Sequence, residues 1–427
     1  MNKIQNEQFQ EVRYEETLDN GLHVILWQKE YYQKSLFMMA TPLSALDLTQ
    51  ISEDGTEYHF PAGIAHFLEH KMFEMKDGDV MEEFSKLGAN VNAFTSYTET
   101  AYYFSTTEDI EKPLNLLLDF VQSLEITKDS VEKEKGIIVQ ELHMYKQMSD
   151  SRLLMELYAS IFKEHPLRFD IGGTDDSVLN TTLEELYACY NINYHPNSMV
   201  LVGVTSEDPK RVMNIIKENQ ANKQFKKPIE VTRKSILEPQ EVNREEYSFT
   251  MDVSIPKVAI AYKLNGIRDI IERIKMEWSL RLLLDAYFTN LNPEFQSWLD
   301  QGIFNDFVGC DIDYGEDYGI LMFYAETEKK EQFYQIVEET MTKLKQGIMD
   351  DAMLERLKKR YIGQTIRYLN SFDDIAISTV RSYFEHSDFF DGIVELQKIT
   401  KDDLKLSVLP LKHASSCKVM IEPENTL

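Results

Sequence analysis

The chain has 427 residues, 43% of them hydrophobic, and 72 Asp and Glu against 45 Lys and Arg, a formal net charge of −27. It is too long for one typical core and suits two domains, and its apolar content is that of a globular protein rather than a disordered one. The acidity argues against a nucleic-acid partner; it would suit cationic ligands where it lines a cavity and otherwise covers a solvated surface.

The first dozen residues, Met1 to Val12, are polar, with no apolar leader core and no Arg-rich amphipathic presequence. No window approaches the ~18 apolar residues of a membrane span. Cys189, Cys310 and Cys417 are scattered and odd in number, which fits a reducing compartment and offers no thiolate metal site. Together these give the expectation of a cytoplasmic protein without a membrane or nucleic-acid partner.

Asn20-Gly21 is a turn signal that opens a strand through Val24-Ile25-Leu26-Trp27, and residues 35–42 form a second strand. Residues 47–60 are polar and irregular. Pro61-Ala62-Gly63 then starts a helix that reads Ile64-Ala65-His66-Phe67-Leu68-Glu69-His70. His66 and His70 stand four apart, so they project from one helix face, one turn above the other. Two imidazoles so placed can hold zinc, and a carboxylate in the same turn, Glu69, can take a proton from water on the metal. The spacing is H-x-x-E-H, the reverse of the H-E-x-x-H helix of zinc peptidases. The competing reading is two surface histidines on an ordinary amphipathic helix.

Residues 78–87 form a second helix, ended by Gly88. Residues 89–98 and 100–105 read as a hairpin, and 110–124 as an amphipathic helix. Asp129 or Ser130 can cap the helix that follows. On it, Glu134 and Glu141 are seven apart and share a face that is otherwise apolar, with Ile137, Ile138 and Tyr145. Burying a carboxylate there is costly unless it meets a metal or reaches water at the edge of the face. Helices at 151–162 and 182–190, a strand at 199–204 and a helix at 208–219 follow. His165 and His195 each precede a proline in a turn and read as structural, and His143 faces another side of its helix.

Residues 221–245 turn polar and read as a linker. The second half repeats the order of the first: a strand at 258–262, a long helix at 269–287 without histidine, a helix at 295–300, a hairpin at 307–325, two helices, a short helix at 400–406 and a strand at 417–421. The expected architecture is therefore α+β, with two similar domains, each a largely antiparallel sheet covered by helices. Residues 1–220 form the metal-binding domain and 246–427 a metal-free one.

The motif His66-Phe67-Leu68-Glu69-His70, the strand Asn92-Ala93-Phe94-Thr95 and the run Glu132 to Glu141 together resemble the pitrilysin/insulinase family of inverted-motif zinc peptidases, over nearly the whole chain. The half-size length is similar to that of mitochondrial processing peptidase subunits. The resemblance implies a Zn2+ ion on His66, His70 and Glu141, Glu69 as general base, Glu134 as a supporting catalytic carboxylate, and Asn92, Ala93, Phe94 and Thr95 as the edge strand on which an extended peptide adds. It departs in one respect. Family members carry an Arg and, seven residues on, a Tyr in the second domain, whereas residues 297–304 hold neither and no Arg occurs between Arg281 and Arg356. The expectation is a zinc endopeptidase of unfolded peptides, working in a chamber formed with a companion subunit of the same family that supplies the Arg/Tyr clamp, a homodimer being the lesser option. The alternative is a non-catalytic structural or peptide-binding subunit.

Overall fold

A computed structural model describes residues 1–75 and 78–424. They gather into two compact units: 1–142 with 170–234 and 366–389, and 143–169 with 235–365 and 390–424.

The first unit is built on a seven-stranded sheet in the order Asn2–Asn6, Glu11–Thr17, His23–Gln28, Val200–Thr205, Ser35–Thr41, Thr100–Thr106, Ala89–Thr95. Every pairing is antiparallel except that of His23–Gln28 with Val200–Thr205. Successive strand residues point to opposite faces, and here both faces are covered, so Ser35–Thr41 is buried at every position. Phe37 and Met39 join a core with Phe67, Leu68, Leu117, Leu118, Leu186 and Ile216, from helices on one face. The other face meets the helix Phe372–Phe384, which lies against Val200–Thr205 and Ser35–Thr41. There the Trp27 indole donates to Thr379 Oγ1 at 3.0 Å and its ring meets Phe389 edge-on.

The second unit repeats the last five places of this order: Glu246–Met251, Ser416–Pro423, Lys257–Leu264, Gly319–Glu326, Val308–Tyr314, with the parallel pair again the first of the five. The helix Ser149–Ile161 packs on Lys257–Leu264 and Ser416–Pro423, and the helix Ile270–Phe288 on the edge strand Val308–Tyr314. The two similar, mainly antiparallel architectures expected from the sequence are present.

The compact units are not the two halves of the sequence. Each contains a helical segment from the other half, 366–389 in the first and 143–169 in the second. The polar stretch 221–245 is also structured: Val231–Arg233 pairs with Thr49–Ser52, which pairs with Glu57–His59, inside the segment expected to be irregular. These strands are short and polar, and no alternation marks them. The helices 372–384 and 391–398 and the strand 246–251 go unnamed in the sequence reading, although Phe372, Ile375, Ala376, Thr379 and Val380 carry helical spacing. Among the described residues no helix is long and apolar enough to cross a membrane.

In the second unit, Glu238 accepts from the amides of Lys163, Glu164 and His165 at 2.9, 2.8 and 2.7 Å and pairs with Lys263. Burial pushes its carboxyl up, but the Lys263 and amide hydrogen bonds outweigh this and hold it below the ordinary 4.5. Its contribution is therefore complete above that value and fades as the pH falls through the depressed one. Glu238→Gln should cost about 1–3 kcal/mol in urea unfolding at pH 7, and the two proteins should converge in stability as the pH falls through the depressed value of the Glu238 carboxyl.

Candidate metal centre

The motif helix, Ile64–Met72, has no side-chain cap. Its N-cap is Gly63 at φ +87°, where a Cβ would stand 2.2 Å from the Gly172 carbonyl oxygen. Only glycine combines that backbone with that approach. The Ser177 hydroxyl donates to the Ala62 carbonyl at 2.8 Å and ties the same loop to the helix start. Phe67, Leu68 and Met72 enter the core; His66 and His70 point away from it, their ring centroids 4.6 Å apart and inclined at 61°.

The second element is the helix Lys128–Gln147. Thr127 and Ser130, whose side chains each accept the other's amide, cap it, with the helix starting two or three residues earlier than expected from Asp129 or Ser130. Val131, Lys135, Ile138 and Leu142 bury one stripe, which turns Glu134 and Glu141 to a half-buried flank. Glu141 Oε2 lies 3.3 Å from His70 Nε2, and its Oε1 lies 3.9 Å from His66 Nε2. His66, His70 and Glu141 are the one group of three or more His, Cys, Asp or Glu, among the described residues, whose donor atoms fall within metal-holding distance of one another. An ion bound tetrahedrally at about 2.0–2.1 Å sets its ligand atoms roughly 3.4 Å apart. The donor set and spacing fit zinc with one position left open.

Glu134 sits behind this group. Its Oε1 lies 3.1 Å from His70 Nδ1, the nitrogen turned away from Glu141. Such a contact fixes the tautomer and orientation of a ligating ring. His66 Nδ1 is buried without a hydrogen-bond partner, beside the Gly172 backbone. Glu69 occupies the flank facing the sheet, and its Oε2 accepts from Thr95 Oγ1 at 3.0 Å. Burial and the neighbouring His70 push His66 down to about 4. Burial would lower His70 too, but its hydrogen bonds to Glu134 and Glu141 lift it to about 9. The same bonds hold both carboxyls below the usual range, while burial raises that of Glu69.

The strand Ala89–Thr95 ends the seven-stranded sheet and, among the described residues, pairs only with Thr100–Thr106. The Ala93 amide donates to the Asn92 side-chain oxygen at 2.8 Å, outside the ladder. The second unit's edge strand keeps the amide contact at the corresponding positions and adds one at the carbonyl. The Ile312 amide donates to Asp311 Oδ1 at 2.8 Å, and the Ile312 carbonyl accepts from Arg281, which also pairs with Asp311 and Glu277. The nearest arginine before 297–304 is thus committed to its own strand. His165 and His195 cap short turns through Nδ1, as their turn contexts suggested. Spacing in the sequence does not reveal the bond from Thr95 to Glu69 or the approach of Gly172 to Gly63.

Residues 56–175 match the insulinase family (peptidase family M16), and residues 180–361 match the M16 inactive domain. A relative from Bacillus subtilis, the uncharacterized zinc protease YmfH, is 36% identical over 98% of both chains. The chain belongs to the insulinase (M16) peptidase family. It is 27% identical to the beta subunit of the mitochondrial-processing peptidase of Neurospora crassa, over 64% of this chain and 54% of that one. An M16-like peptidase from Alicyclobacillus acidocaldarius superposes with a TM-score of 0.91 at 32% identity, covering 97% of this chain and 99% of the other. The periplasmic protease PqqL of Escherichia coli shares the fold, at a TM-score of 0.71 and 18% identity, with 99% of this chain matching 48% of its length.

Two glycines test the placement of the paired helices. Gly63→Ala should lose more than about 1–2 kcal/mol, because it adds a Cβ at positive φ against a carbonyl. Gly136→Ala, inside the helix Lys128–Gln147 with nothing within 4 Å of the new Cβ, should gain about 0.5–1 kcal/mol. Urea unfolding of the metal-free proteins reads both.

Proposed function

We propose that this chain is a zinc endopeptidase of unfolded peptides that works with a companion subunit. His66, His70 and Glu141 would hold the ion, with Glu134 fixing His70. The observation that carries the reading is the convergence of these donors beside a half-buried carboxylate, Glu69, at an open sheet edge. When bound, zinc polarises a peptide carbonyl and brings the pKa of a ligand water to about 7.

The chain's own groups do the rest. An extended peptide adds to the free edge of Asn92-Ala93-Phe94-Thr95 through main-chain hydrogen bonds, with the Ala93 amide exchanging Asn92 for a substrate carbonyl. Thr95 holds Glu69 by Oε2, which leaves Oε1 to take the proton of the attacking water. Glu69 takes that proton as the water oxygen bonds to the carbonyl carbon, and returns it to the departing amine as the carbon–nitrogen bond breaks. Its burial favours the protonated form it must pass through. The open edge without an Arg/Tyr clamp in 297–304 supports a companion chain of the same family. So do the likeness to a processing-peptidase subunit and the match to half of PqqL.

Peptide hydrolysis by the chain alone and with candidate companions tests this. Glu69→Gln should lower kcat/KM by about 10²–10⁴-fold while zinc content stays at one per chain. Unchanged hydrolysis in that variant, or full activity of the chain without a companion, would sink the respective claim. Zinc held without hydrolysis in any mixture would favour a non-catalytic subunit.

Zinc uptake also has a pH signature. With His70 protonated up to about 9 in the metal-free protein, binding at pH 7 must displace about one proton. Affinity should rise roughly tenfold per unit between pH 7 and 9 and then level off. Calorimetry in buffers of different ionisation enthalpy counts the proton; none released would contradict a protonated His70 in the metal-free protein.

A further inference from the structure

We infer that Lys71 is a positioning residue of the zinc site: its ammonium holds Glu134 in the orientation that fixes His70. The inference rests on the zinc reading above.

Lys71 follows His70 on the motif helix, yet its side chain is only 3% exposed. An amine buried to that degree must be paired or give up its charge. The ammonium is surrounded by acceptors. It pairs with Glu74, lies 3.3 Å from the Ser130 carbonyl oxygen and 3.5 Å from Glu134 Oε2. The other Glu134 oxygen, Oε1, contacts His70 Nδ1. The two oxygens of one carboxylate therefore link the buried cation to the ring, in the order Glu74, Lys71, Glu134, His70.

Glu134 needs such a partner. It shares a half-buried flank with Glu141, whose negative charge opposes its own, and a carboxylate there reorients toward water unless a cation holds it. The Ser130 carbonyl belongs to the first turn of the same helix as Glu134. Lys71 thus clamps the turn that carries Glu134 as well as the carboxylate itself.

Two accounts of Lys71 predict opposite signs. As a bystander cation it repels a dication, so removing its charge should tighten zinc binding. As a positioning residue it keeps Glu134 on His70, so removing it should weaken binding, by the roughly 10–100-fold typical of outer-shell partners.

Zinc affinity, measured by competition with a chromophoric chelator, decides between them. Lys71→Met, of similar length, should weaken zinc binding 10–100-fold while apo thermal unfolding stays two-state. Lys71→Gln gives the same reading if the Met variant fails to fold. Lys71→Arg should recover affinity to within a few fold of wild type. In a Glu134→Gln background, Lys71→Met should weaken zinc by less than about threefold, because both act through one contact. Wild-type or tighter affinity in Lys71→Met and Lys71→Gln, or fully additive losses in the double variant, overturns the inference. Wild-type protein that takes up no zinc overturns the ligand assignment itself, a different result from wild-type binding that is indifferent to Lys71.

Discussion

The candidate site depends on one imidazole gripped from both ends. His70 meets Glu134 at Nδ1 and Glu141 at Nε2, and the two carboxylates lie two turns apart on a single helix. That spacing fixes how the helix Lys128–Gln147 must lie beside the motif helix. Its buried stripe of Val131, Lys135, Ile138 and Leu142 seats it there, and the Gly63–Gly172 approach sets the start of the partner helix. Ordinary packing forces thus bring His66, His70 and Glu141 together, with Glu134 behind His70, and the two carboxylates favour the charged form of His70.

The same frame holds the second unit, and the comparison shows what changed. Its long helix has no histidine, and its edge strand repeats the amide contact of Asn92 and Ala93 through Asp311 and Ile312 but adds Arg281 on the Ile312 carbonyl. A strand edge whose amide and carbonyl are both satisfied offers nothing to a passing chain. Burial pushes Glu277, beside Arg281, up to about 7, so this helix face carries an ionic cluster where the first unit carries a metal-binding pattern.

Much of this was legible in the sequence because the chemistry is concentrated in short, rigid spacings. The intervals within His66, Glu69 and His70 and between Glu134 and Glu141 become faces as soon as a helix is assumed. The edge position of Asn92 to Thr95 followed from the family likeness and matches the sheet order. The parts not read depend on distant contacts. Thr95 looked like a substrate-facing residue, and its hydroxyl bond to Glu69 requires knowing which strand lies over the motif helix. Lys71 stands at the end of a helix, and nothing local in the sequence reveals Ser130 and Glu134 beside it. The strands at 49–52 and 231–233 are too short and polar to carry a pattern.

The division of the chain was obscured for a related reason. Helix spacing is local, but which sheet a helix covers is not. The apolar residues Leu36, Met38 and Ala40 need a second covering layer, and the sequence does not say that residues 372–384 supply it. During synthesis the first sheet must therefore wait, with one oily face bare, until most of the polypeptide has left the ribosome. The helix 149–161 meanwhile has no sheet of its own to rest on. A nascent chain with such a history must guard those surfaces until residues 366–389 arrive. A cut in the polar middle would leave two fragments, each missing a wall.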